Sequence, residues 1–79
     1  MNLEKLENEL KSLDDLAKTV SSRAEEGEKT FSKDERDALI EQGIGIGEFV
    51  RVGIDEYVFT GETNDLLDQI NQHTLEILS

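Results

Sequence analysis

Leu3, Leu6, Leu10, Leu13, Ala17, Val20 and Ala24 recur at alternating steps of three and four, the a/d spacing of a heptad pattern. This spacing predicts a helix over 3–24. The acid-before-base pairs Glu7/Lys11 and Asp14/Lys18 at i,i+4 reinforce it. Leu16 lies beside the seam and widens the apolar stripe, as packing on a globular core requires. A parallel coiled coil would set Glu9 against Asp14 of a second copy, and Glu7, Leu16, Ser21 and Arg23 offer no compensating ladder. Packing on the chain's own core fits better, as does an antiparallel homodimer through Leu3, Leu6, Leu10 and Leu13.

A polar stretch over 21–30 breaks the pattern, and Gly27 is the expected helix stop. Glu25, Glu26 and Glu28 then sit where the helix dipole favours cations, a small local conflict. Ser32-Lys33-Asp34-Glu35 forms a Ser-x-x-Glu capping box, with acids in the first turn. The helix it opens, over 33–42, stops at Gly43. Its apolar residues, Ala38, Leu39 and Ile40, suit a short brace more than the centre of a core.

Residues 43–60 change character. They hold four of the six glycines, the one tyrosine and two of the three phenylalanines. Strands 48–52 and 57–60, joined through Gly53-Ile54-Asp55-Glu56, read as a hairpin over 48–60. Ile44, Ile46, Val50, Val52 and Ile54 share one parity, while Phe49, Arg51 and Gly53 take the other. The apolar parity is expected to seat the helices. Gly43-Ile44-Gly45-Ile46-Gly47 reads either as a short third strand or as an irregular entry loop. Thr63-Asn64-Asp65 is an N-cap region for a last helix over 64–78. Its Leu66, Leu67, Ile70, Thr74, Ile77 and Leu78 form a core-facing stripe. The fold class is therefore α+β: one small domain over 1–79 with a long first helix, a short second helix, a hairpin and a C-terminal helix.

Charge changes the functional picture. Nineteen acids against eight bases give a net charge of −11, which opposes direct contact with nucleic acid phosphates or an anionic membrane surface. The distribution is uneven. Residues 1–51 hold 13 acids and all eight bases; residues 52–79 hold Asp55, Glu56, Glu62, Asp65, Asp68 and Glu76, and no base. There is no cysteine, no apolar run of membrane-spanning length and no basic, apolar leader at Met1-Asn2-Leu3. A soluble cytoplasmic protein is the expectation.

Catalytic and cofactor chemistry finds little support. Residues 43–47 run Gly-x-Gly-x-Gly between a helix and a strand, whereas a dinucleotide site needs Gly-x-Gly-x-x-Gly between a strand and a helix. His73 is the one histidine, so neither a zinc site nor a Ser-His-Asp set can be assembled around it. Acid–base catalysis needs burial or charged neighbours, and Asp14-Asp15 and Asp55-Glu56 are expected on exposed faces or turns. No cofactor, metal or enzyme activity is expected. A winged DNA-binding arrangement fails on charge, because nothing after Arg51 is basic.

In size and charge alone, the chain resembles small acidic inhibitors from phages and mobile elements, such as anti-restriction and anti-CRISPR proteins. This resemblance implies a nucleic-acid mimic that occludes a basic, nucleic-acid-binding surface of a partner protein. Asp55, Glu56, Glu62, Asp65, Asp68 and Glu76 are the expected contacts. The alternative is an assembly protein that self-associates through Leu3, Leu6, Leu10 and Leu13 or through the hairpin edge.

Overall fold

The computed structural model describes residues 3–79. Helix α1 spans Leu3–Glu25, α2 Lys33–Glu41 and α3 Thr63–Leu78. Strands β1 (Thr30–Phe31), β2 (Phe49–Gly53) and β3 (Glu56–Phe59) form an antiparallel sheet in the order β1-β3-β2. The fold is α+β, as the sequence predicts.

Local signals set the helix ends. Glycine in the left-handed region terminates both α1 and α2, at Gly27 (φ 71°) and Gly43 (φ 77°). At each, paired backbone bonds close the last turn: Glu28 to Arg23 with Gly27 to Ala24, and Ile44 to Leu39 with Gly43 to Ile40. This double closure satisfies carbonyls that a helix end otherwise orphans. In α2 it also places Ile44 beside Leu39 in the core, where both are buried. The capping box forms as expected, with Ser32 Oγ accepting from the Glu35 amide and Glu35 Oε1 from the Ser32 amide. At α3 the sequence expectation was displaced by one residue. Glu62 is the N-cap and makes no side-chain cap bond.

The Arg23 guanidinium donates from both Nη atoms to Glu35 Oε2 at 3.1 Å, tying the end of α1 to the start of α2. Burial pushes the Glu35 carboxyl up, but hydrogen bonds from the Ser32 amide and from Arg23 outweigh it and hold the pKa below its ordinary value. A carboxylate with a depressed folded pKa adds stability above its unfolded pKa and loses it as pH falls through the folded one. Glu35→Gln should therefore destabilise the domain at about pH 7 and make much less difference at about pH 3. Urea midpoints of both proteins at the two pH values check this; a constant gap would show that the charge on Glu35 is irrelevant.

Leu13, Leu16 and Val20 of α1 meet Leu66 and Ile70 of α3, with Leu39, Ile44, Phe31 and Phe59 completing the buried core. The two long helices run antiparallel: Leu67 lies by Ser21 and Ser22, and Thr74 by Leu10. Leu13 is 1% exposed, so this member of the expected self-association seam belongs to the protein's own core. Leu6 and Leu10 are half-buried, and Leu3 is 63% exposed. The end of the α3 stripe also departs from expectation, since Leu78 is 62% exposed.

Of the two alternatives for residues 43–47 the structure shows the irregular loop, and the third strand of the sheet is Thr30–Phe31, paired with Val58 and Tyr57. Left-handed glycines at 43, 45 and 47 keep that segment from extending into a strand. The face assignment of β2 is reversed. Phe49 turns inward, with its ring 5.9 Å from Phe31 and 5.2 Å from Phe59, while Val50 and Val52 are more than half exposed. Ile46 and Ile54 are exposed as well, and only Ile44 of that parity is buried. Three aromatic rings offer more apolar area than the valines opposite, and their mutual packing decides which face turns in.

Candidate functional site

All six acids of residues 52–79 are exposed. The ion pairs among the described residues are Lys18–Asp14, Arg23–Glu35, Lys33–Asp37 and Arg36–Asp37, all within residues 14–37. None involves the six C-terminal acids. Four of the eight bases, Lys18, Arg23, Lys33 and Arg36, thus pair with acids of residues 14–37, and the acids of residues 52–79 are left without an ion pair. Lys33–Asp37 illustrates the pattern. The hydrogen bond between the two ends raises the Lys33 pKa and lowers that of Asp37.

The six acids fall into two groups. Asp55 and Glu56 occupy the hairpin end, where Asp55 Oδ1 accepts from the Lys33 amide at 2.8 Å, at the start of α2. Glu62, Asp65, Asp68 and Glu76 belong to α3 and its cap. Asp65, Asp68 and Glu76 fall within about 80° of arc and span about 16 Å along the axis. This row flanks the loop past the other end of α2. Asp68 and Glu76 border an open groove with Gln42, Ile44, Gln72 and His73. The sequence shows one base-free segment; the structure ties its two acidic groups to opposite ends of α2.

The side chains between the acids on α3 are polar fasteners. Gln69 Oε1 accepts from the Gly45 amide at 3.0 Å, and His73 Nε2 lies 3.2 Å from Gln42 Oε1. These contacts fix the angle at which α3 presents its acidic row. They also give His73 a structural role at the helix boundary. Among the described residues no group of three His, Cys, Asp or Glu is placed to hold a metal ion, and no helix is long and apolar enough to cross a membrane.

Sequence reasoning did not place two cationic side chains on aromatic faces. The Arg23 guanidinium lies 5.4 Å from the centroid of Phe31, and that of Arg36 lies 4.8 Å from the centroid of Tyr57. Both rings belong to the inward face of the sheet. The arginines are therefore engaged in packing as well as in ion pairs.

Comparisons with protein-family models, with curated proteins and with solved structures found no match.

Proposed function

We propose that this domain is a non-enzymatic binding protein that inhibits its partner by covering a basic, nucleic-acid-binding surface. The supporting observation is the segregation of charge: every ion pair among the described residues lies within 14–37, and the six acids beyond Arg51 are exposed without one. Uncompensated charge at fixed spacing on a helix attracts a cationic groove, speeds association and makes it salt-sensitive. The phage or mobile-element setting of anti-restriction and anti-CRISPR inhibitors follows by analogy of size and charge.

The test is capture of a basic host protein on the immobilised domain at low and high salt, compared with Asp65→Lys/Asp68→Lys. Reversing both charges should abolish capture at low salt while far-UV circular dichroism stays unchanged, because both positions are exposed. Capture that survives the reversal would rule out the α3 row as the contact.

A second reading, self-assembly, has its own observation. Leu3, Leu75 and Leu78 are all exposed on the two long helices. Assembly through α1 predicts a dimer by light scattering that Leu3→Asp, at an exposed position, dissociates; a folded monomer at micromolar concentration counts against it.

A further inference from the structure

The helices cover one face of the sheet. On the other, Val50 is 51% and Val52 56% exposed, with half-buried Val58 and Thr30 continuing the same row across the strands. Strand parity places Glu48 and Glu56 on this face too. Glu48 precedes Val50 and accepts at its carbonyl from the Thr60 amide, and Glu56 lies two residues from Val58. Both glutamates are exposed. Arg51 and Tyr57 alternate to the opposite side. The uncovered face is thus a valine centre flanked by carboxylates, and β1–β3 contribute no basic side chain to it.

We infer that this face is the apolar centre of the interface for the basic partner, an inference that rests on the reading given under Proposed function. The occupant is a partner surface with apolar side chains set between lysines or arginines. Charge selects it. A second copy of this chain would bring Glu48 and Glu56 against their own kind, whereas a cation-flanked apolar patch meets valines with apolar groups and carboxylates with bases. Interfaces commonly join an apolar core to a charged rim in this way. The α3 row then steers the approach, and the sheet face supplies the contact that excludes water.

The probe is a short synthetic peptide with a Leu-Val centre and arginines on both sides. Its controls replace the apolar centre by serines or the arginines by glutamates. In NMR titration at low salt, the arginine-flanked apolar peptide should shift Val50, Val52 and Val58 and bind at least about tenfold more tightly than either control. Val50→Thr/Val52→Thr should cost about tenfold, and Asp65→Lys/Asp68→Lys should leave these sheet shifts in place. Glu48→Lys/Glu56→Lys provides an independent arm that leaves the valines intact, and should transfer preference to the glutamate-flanked peptide. Shifts confined to α3, or none on the sheet, would overturn the inference while capture of a basic protein sensitive to Asp65 and Asp68 upheld the broader reading. A dimer dissociated by Val50→Lys would overturn it in favour of a second copy.

Discussion

Phe59→Ala is expected to lower the unfolding free energy by about 3–5 kcal/mol. Phe59 is 1% exposed on the central strand. Its ring packs against Phe49, which in turn meets Phe31 edge-on at 87°. Truncation removes the aromatic area, leaves a cavity and deprives Phe49 of one of its two ring neighbours. A domain of this size has about 4–12 kcal/mol of stability in total, so the loss is a large fraction of it. Val50→Ala on the same sheet, facing outward, should change stability by less than about 0.5 kcal/mol. Urea unfolding followed by circular dichroism measures both. Equal losses would mean that the valine face is the buried one.

That comparison marks where the sequence was legible. Helix ends could be read because their causes are local: Ser32 and Glu35 lie three residues apart, and Gly27 and Gly43 each close the turn before them. The hairpin was legible for the same reason. The inward face of β2 was not, because Val50/Val52 and Phe49 make opposite claims within the strand. Phe31 and Phe59 settle the matter, and Phe31 is 18 residues away in the chain. The strand Thr30–Phe31 is only two residues long, too short for any periodic signal. The acids were visible as charges, but their division between the two ends of α2 depends on long-range bonds such as Lys33 to Asp55 and Gly45 to Gln69. The freedom of the C-terminal acids from ion pairs follows more directly, since no base lies beyond Arg51 and Lys18, Lys33 and Arg36 pair with acids within four residues of themselves.

Gly45→Ala should destabilise the domain by about 2–4 kcal/mol, well beyond the cost of the same change at Gly43. Both residues have left-handed backbones, so each alanine carries a conformational cost of about 1–2 kcal/mol. They differ in surroundings. A Cβ on Gly43 meets open space, whereas one on Gly45 would sit 2.7 Å from Phe49 Cε2 and 3.2 Å from Leu66 Cδ2. Gly45 is also the point where the loop joins α3, through the hydrogen bond its backbone N–H donates to Gln69 Oε1. The added methyl must push a core ring or tilt the helix that carries Asp65, Asp68 and Glu76. Phe49→Leu opens space beside residue 45 and should recover part of the Gly45→Ala loss, with no such recovery for Gly43→Ala. A double-mutant cycle read by urea midpoints isolates that coupling. Equal losses at the two glycines, or strict additivity with Phe49→Leu, would show that backbone strain alone governs the loop. The expected coupling would identify the Gly45–Phe49–Leu66 contact as what holds α3, and its row of acids, against the sheet.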